Sequence, residues 1–526
     1  MTEHVWQAEI DELAERKSLA AEMGGPDRVA RQHEFGKMTI RERFDAFADP
    51  KTFEEIGSTA GLATYADDGT MTSFTPANFL VGVAKVDGRP VVLSGDDFTV
   101  RGGSSELSIG AKRGFSESIA LELALPHVRL VDGMGGGGSV KSMEKARRPL
   151  IPQAKGLDVI GAHLALAPSV SLALGSVAGI GAARVAMSHY SVIVAETAQM
   201  MIAGPALVEQ AGQPSVTKEE LGHARVHTSN GAIDDAAESE AEAFDMARRF
   251  LSFLPRNVNE LPARCATDDD PERRDDDLAS IVPRNERRIY DMRSVIGSVV
   301  DREADGSSTF FEIGRGWGRS IIGGLARLDG WPVAVFAEDP SIYGGGWTAD
   351  GCQKLIRLLD LASTFHLPVV HLEDCPGFLI GKKAEDEATI RHGSRALLAL
   401  GQLTTPFAAV VIRKAFGVAG AANRKPGSTH FRYSWPSGRW GSLPVQGGIE
   451  VAYKAELADL DDDAVEARVA EIRQRLDRMS SPFLSAETFA MHDIIDPRDT
   501  RPLLCEWANL VADARPTGET GFGYRP

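Results

Sequence analysis

Four glycine-rich turns hold the residues best suited to chemistry in this 526-residue chain. They are Gly133 to Gly138, G-S-V-A-G-I-G from Gly175 to Gly181, D-C-P-G-F from Asp374 to Phe378, and A-F-G-V-A-G from Ala415 to Gly420. Each follows a predicted strand and precedes a predicted helix start. Glycine lets the backbone turn sharply enough for neighbouring N–H groups to converge on one oxygen. Two such donors make an oxyanion hole, worth about 3–4 kcal/mol per donor at a transition state. Tight strand–helix packing would use the same glycines, so at this point both readings stand.

Other chemistries find less support. No G-K-[ST] follows Gly135 to Gly138, which excludes a P-loop. Gly314 to Gly318 (G-R-G-W-G) lacks the spacing of a dinucleotide fingerprint, and no G-x-S-x-G elbow occurs. His223 and His227 have the i, i+4 spacing of metal ligands, but no third ligand lies near them in sequence, so no metal is expected. Glu196 after an apolar strand reads as structural. What remains is two backbone sites that stabilise an enolate or a ureido anion, with a bound ligand moving the proton.

The elements that position these turns repeat. Residues 82–135 lie on residues 324–377 without a gap, an offset of 242 (324 minus 82). Roughly 17 of 54 paired positions are identical, where residue usage alone gives about three. The pairs include Asp87–Gly88 with Asp329–Gly330, Gly102–Gly103 with Gly344–Gly345, Lys112 with Lys354, Asp132 with Asp374 and Gly135 with Gly377. F-E-E-I-G from Phe53 is echoed by F-F-E-I-G from Phe310. Asp-Gly between β-branched runs predicts a hairpin in each half. Helices are expected over 4–22, 39–48, 105–124 and 349–366, and strands over 127–132 and 369–374. The alternation indicates α/β units, hence two tandem domains of one fold. Their boundaries are read as 1–258 and 284–526, joined by a proline- and aspartate-rich linker over 259–283.

Composition narrows the function further. A net charge of −17 argues against nucleic acid as a partner, since no basic stripe offsets it. An anionic ligand would need a local basic pocket, for which Lys112, Arg113, Lys145, Arg147, Arg148, Lys354, Arg413 and Lys414 are candidates. The four cysteines are scattered, which indicates neither a zinc ribbon nor a disulfide framework. No apolar run is long enough for a membrane span, and no signal-peptide pattern opens the chain, so a cytoplasmic protein is expected.

Several stretches carry a more specific signal: G-K-M-T-I-R-E-R (Gly36 to Arg43), T-K-E-E-L-G (Thr217 to Gly222), I-V-P (Ile281 to Pro283), D-C-P-G-F-L-I-G (Asp374 to Gly381), R-K-A-F-G (Arg413 to Gly417), Y-S-W-P (Tyr433 to Pro436) and I-I-D-P-R-D-T-R (Ile494 to Arg501). With these the chain resembles the carboxyltransferase (β) subunit of biotin-dependent acyl-CoA carboxylases of the propionyl-CoA carboxylase type. The resemblance implies two crotonase-like domains per chain and a homo-hexamer built as a trimer of dimers. Acyl-CoA would bind the first domain and carboxybiotin the second. The activity implied is transfer of CO2 from carboxybiotin to the α carbon of an acyl-CoA, through an enolate held in backbone oxyanion holes. No A-M-K-M motif or ATP-grasp loop is found, so biotin would sit on a separate carrier served by a biotin carboxylase subunit. A decarboxylase or transcarboxylase subunit, or a biotin-independent crotonase-type lyase, is the alternative.

Carried over residue by residue, the acyl hole falls at Gly179 and Ile180, with Gly135, Gly136 and Gly181 around it. The biotin hole falls at Val418 and Ala419, with Gly377, Phe378, Gly417 and Ala421 around it. The family usually has A-G-G-A in the first hole, where this chain has A-G-I-G from Ala178. In the second it has G-G-A-Y, where this chain has G-V-A-G from Gly417. Ile180 and Val418 are therefore expected to restrict φ. An asparagine common after the second hairpin is replaced by Glu338. The specificity position becomes Ala421, which suggests an acyl group bulkier than acetyl.

Overall fold

The computed structural model describes residues 5–103, 110–133, 143–144, 147–149, 156–286, 288–425, 431–442, 445–458 and 460–521. It divides into two compact units, one running to Glu260 and the other from Leu261 to Thr520. Both are α/β, and among the described residues each is built on one large mixed sheet.

In the first unit that sheet runs, edge to edge, Glu54–Glu55, Phe79–Val86, Arg89–Asp96, His127–Val131, Ser169–Ala173, Tyr190–Val194 and Asp235–Ala237. The first two pairings are antiparallel and the others parallel. The second unit has the order Phe311–Glu312, Ile321–Leu328, Trp331–Glu338, Val369–Cys375, Phe407–Phe416, Phe431–Ser434 and Asp493–Ile494. Its pairings change from antiparallel to parallel at the same place. Register agrees as well. Gly82 faces Leu93 and Val92 faces His127, while Gly324 faces Val335 and Ala334 faces Val369.

Sequence chemistry explains the shared corners. Asp87 and Gly88 have φ of 49° and 76°, and Asp329 and Gly330 have 48° and 77°, as a type I′ turn requires. A carboxylate caps each turn. Asp49 accepts the N–H groups of Asp87 and Gly88 at 3.0 and 2.8 Å, and Asp301 accepts those of Asp329 and Gly330 at 2.9 and 2.7 Å. The helix Ile40–Phe47 starts from Thr39, whose side chain forms a capping box with Glu42. Helices Gly110–Glu122 and Ala349–Thr364 occupy the stretches expected from periodicity, residues 105–109 lying outside the described ones.

The Val- and Ile-rich strands are buried on both faces, as parallel strands between layers must be. In the second unit Val333, Val335, Val370, Leu372, Val410 and Ile412 pack with Trp435, Trp507 and the Met292–Val299 helix. Alternation puts Phe336, Glu338, His371 and Glu373 on the other face. Residues 259–283, expected to join the halves, are hydrogen-bonded into the second unit from Pro262 onward. Cys265 N–H donates to Gly330 O at 3.0 Å, and Arg273 donates to Ser298 O and Val300 O at 3.0 Å each. No helix among the described residues is long and apolar enough to cross a membrane.

Candidate active site

The first glycine turn of interest leaves the short strand Ser176–Ala178, which pairs in parallel with Gln199–Met201. Gly179 takes φ 60° and ψ −123°, a corner that L side chains rarely adopt. Its N–H extends the ladder by one residue and donates to Met201 O at 3.2 Å. The helix Ile180–Ala186 starts at once, and Ala183 N–H donates to Gly179 O at 3.0 Å. The N–H groups of Ile180 and Gly181 belong to the first turn and have no partner within the helix. They point outward under the partial positive charge of a helix start. Ile180 is half exposed and Gly181 is buried.

The second turn has the same construction. The end of the long strand, Lys414 to Phe416, pairs in parallel with Arg439–Gly441. Gly417 has φ 64°, and its N–H donates to Gly441 O at 3.0 Å. Val418 then takes φ −71° and opens the turn Ala419–Asn423, with Ala421 N–H donating to Val418 O at 3.2 Å. Val418 is 61% exposed above a buried Ala419. Ala421 is exposed. Gly377, with φ 119°, flanks the turn: its Cα lies 3.9 Å from where a Cβ on Gly417 would sit. Phe378 bridges to Trp347 and packs so closely on Gly393 that a Cβ there would lie 2.2 Å from its ring.

Superposing the two constructions pairs Gly179 with Gly417 and Ile180 with Val418. Gly179 N–H is used in the strand ladder, whereas the N–H groups of Ile180 and Gly181 have no partner within the helix. In the second turn Gly417 N–H is used in the same way, and Val418 and Ala419 follow it. Ile180 is helical and Val418 has ordinary negative φ, because the positive φ falls on the preceding glycine. The expected restriction at Ile180 and Val418 therefore brings no backbone strain. Gly135 and Gly136 lie outside the described residues.

The loops behind the niches are held from below by buried acids. Asp132 accepts from Lys37 Nζ at 3.0 Å and from Arg43 Nη1 at 2.9 Å. Asp374 accepts from Tyr290 Oη at 2.9 Å and from Arg413 Nε at 3.0 Å. Arg413 is thus no phosphate-binding cation. Lys112 and Lys354 likewise donate to Gly57 O and Ile321 O at 3.0 and 2.9 Å. Gly103 and Gly345, with φ of 62° and 90°, pass so close that a Cβ would lie 2.8 and 2.5 Å from the carbonyl oxygens of Asp132 and Asp374.

Beside Ile180 and Gly181 is a small cleft lined by Asp96, Arg113, Glu117, Arg129 and Arg184. Burial works against the charge on Glu117, but Arg129 and His127 hold its carboxyl well below the usual range. Burial brings His163 beneath it down to about 3. A wider groove of about 920 Å³ runs past Arg28, Arg31, Phe98, Ser176, Glu196 and Lys218. That is the size of a ligand cleft. Its cations escaped the sequence reading, although Arg28 and Arg31 stand three apart on the helix Pro26–Glu34 just after Gly24–Gly25.

Ser94 Oγ lies 2.8 Å from His127 Nε2, and His127 Nδ1 lies 3.3 Å from Glu117, a buried hydroxyl–imidazole–carboxylate row. Among the described residues no group of three His, Cys, Asp or Glu is arranged to hold a metal ion. His227 Nε2 bonds Met200 O, and His223 Nδ1 accepts from Arg225 N–H. Burial pushes the Cys352 thiol up to about 12 and the Cys375 thiol well above its ordinary value.

Fold and turns together define an α/β protein with the same strand–glycine–turn corner in each of its two units. The carboxyl transferase domain matches residues 31–517. The chain is 33% identical over 520 residues to the propionyl-CoA carboxylase carboxyltransferase subunit of Haloferax mediterranei, covering 96% of this chain and 95% of that protein. It is 30% identical over 514 residues to the methylmalonyl-CoA decarboxylase subunit alpha of Veillonella parvula, covering 97% of both. Its fold is similar to the transcarboxylase 12S crystal structure with methylmalonyl-coenzyme A and methylmalonic acid bound, with TM-score 0.86 and 28% identity, covering 100% of this chain and 99% of that one. The chain belongs to the carboxyl transferase family, and it is a carboxyltransferase.

Proposed function

We propose that this protein is the carboxyltransferase subunit of a biotin-dependent acyl-CoA carboxylase. The observation that carries the reading is the paired niche: the same strand–glycine–turn construction at Gly179–Ile180 and at Gly417–Val418. Two similar anions need stabilising in such a reaction, a thioester enolate and a ureido oxygen. The shared sheet order, register and hairpin caps support an origin by duplication. The two domains then divide the task, acyl-CoA on the first and carboxybiotin on the second.

Acyl-CoA would lie along the groove, with Arg28, Arg31 and Lys218 near its phosphates and its thioester oxygen at Ile180 and Gly181 N–H. These donors strengthen as charge develops on that oxygen. We assign the ureido carbonyl to the second turn because Val418 is exposed there above a buried Ala419. Bound there, carboxybiotin would supply CO2, and the ureido anion left by that bond cleavage would take up the α proton. Val418 and Ala419 would orient the ureido oxygen and favour its negative charge. The biotin belongs to a separate carrier, with a biotin carboxylase subunit to load it. Ala421, small and exposed beside the second turn, is the residue we propose as the specificity position. A homo-hexamer, as the 12S structure forms, is the assembly we infer. We place the protein in the cytoplasm, since all four cysteines are free thiols.

The test is 14C-bicarbonate fixation by the protein with biotin carboxylase, biotinylated carrier and ATP across a series of acyl-CoAs. The expected result is acid-stable label on one or more acyl-CoAs, abolished by avidin. Label that persists with avidin would refute the biotin-dependent reading. The Veillonella relative favours a second reading in which the same niches run the transfer toward biotin. Avidin-sensitive CO2 release from malonyl- or methylmalonyl-CoA, with no fixation, would select it.

A further inference from the structure

Beneath the second niche lies a hydrogen-bonded chain that the proposed reaction does not use. Glu338 ends the strand Trp331–Glu338, His371 lies on the strand Val369–Cys375, and both are fully buried. Glu338 Oε1 accepts from Trp347 Nε1 at 2.9 Å, and Oε2 accepts Asp374 N–H at 2.9 Å. His371 Nε2 lies 3.1 and 3.2 Å from the two carboxylate oxygens. Its Nδ1 lies 3.2 Å from Ala422 O, inside the turn that Val418 opens. The ring stacks on Phe336 with centroids 3.9 Å apart, which fixes its plane.

The chain thus ends on backbone at both sides of the niche. On one side Glu338 holds Asp374, and Trp347 N–H donates to Gly377 O at 3.0 Å. On the other, His371 holds Ala422. A buried acid–imidazole contact is weak evidence of added stability, because desolvation offsets its attraction. Its geometry is the more informative property. The first niche has no counterpart: the positions 242 residues earlier are Asp96, paired with Arg113 at 2.6 Å, and Arg129, paired with Glu117 at 2.7 Å.

We propose that Glu338 and His371 are positioning residues of the second niche. They hold the Asp374–Gly377 loop and the Ala419–Asn423 turn at the separation that aims Val418 N–H at its oxygen. The inference rests on the carboxyltransferase reading and assigns a role within the carboxybiotin half only.

The experiment compares wild type, Glu338→Gln and His371→Asn. Glu338→Gln keeps the shape but cannot accept at both oxygens. His371→Asn keeps a donor near Ala422 O but does not reach Glu338. The readouts are kcat and KM for transfer with biotinylated carrier, Kd for acyl-CoA on the protein alone, and melting temperature. Both variants should lose roughly 10- to 100-fold in kcat, the effect of a misplaced catalytic donor. Acyl-CoA Kd should stay at the wild-type value, and melting temperature should fall by no more than a few degrees, as expected for one unpaired buried donor. Unchanged kcat overturns the inference, as does a kcat loss matched by equal loss of acyl-CoA affinity, or unfolding of both variants. Wild type inactive with carrier would overturn the carboxyltransferase reading and this inference with it. Active wild type with unaffected variants overturns this inference alone.

Discussion

Ile180 and Val418 invite a substitution that deletes one donor and little else. Each directly follows a positive-φ glycine and starts a helical turn, the one place where proline fits a helix without breaking it. The Val418 φ of −71° already matches a proline ring. Ile180→Pro and Val418→Pro should each lower kcat by roughly 10²- to 10³-fold, the usual loss for one oxyanion donor, with little change in melting temperature. Wild-type kcat in either would remove that N–H from the mechanism. Glu373 makes a different prediction. It is fully buried, and burial, then the neighbouring Glu338 carboxylate, raises its carboxyl well above the ordinary range. The folded state therefore holds a proton that the unfolded chain releases near pH 4.5. Its contribution to stability is complete below that pH and is lost as pH rises through the higher folded value. Glu373→Gln mimics the neutral acid, so its melting temperature should gain on wild type as pH increases from 5 to 9. A constant difference across that range would show Glu373 to be ionised in the fold.

Glycines at the turns do two separate jobs, and alanine distinguishes them. A Cβ on Gly417 meets nothing nearer than 3.7 Å, so Gly417→Ala should cost only the left-handed strain, about 1–2 kcal/mol. Gly345→Ala adds a contact of 2.5 Å with Asp374 O, which lies on a buried strand. It should cost more than about 4 kcal/mol in urea unfolding, or prevent folding. Equal costs would mean that the Asp374 loop yields. These elements also show what was legible in the sequence. Hairpins were readable because Asp-Gly admits few backbone states, and the tandem pattern because the repeated residues are those that fix backbone geometry. That Gly179 N–H joins a strand ladder was not legible, because its bond to Met201 O depends on a pairing 23 residues away (201 minus 178) that no local pattern reveals. Glu338, His371 and Glu373 went unassembled for the same reason, since adjacent strands bring them together. Arg28 and Arg31 were passed over because two arginines on a polar helix look like solvated surface until a groove is seen beside them.

At the scale of the whole molecule, two electrostatic effects oppose each other. The chain carries a net charge of −17, and its proposed substrate carries the phosphates of CoA. The distant charges repel the ligand, while Arg28, Arg31 and Lys218 attract it at contact. Salt separates the two by range. The Debye length falls from about 30 Å at 0.01 M to about 8 Å at 0.15 M, so repulsion summed over the surface is screened first. Contacts within hydrogen-bond reach persist until higher ionic strength. KM for acyl-CoA should therefore fall between about 0.01 and 0.15 M salt and rise again toward 1 M. With Arg28→Ala and Arg31→Ala combined, the short-range attraction is weaker. KM should then be higher throughout, and its rise at high salt should be shallower. A wild-type KM that climbs steadily from the lowest salt would mean that local cations dominate at every distance, and a double variant with unchanged KM would place the phosphates elsewhere.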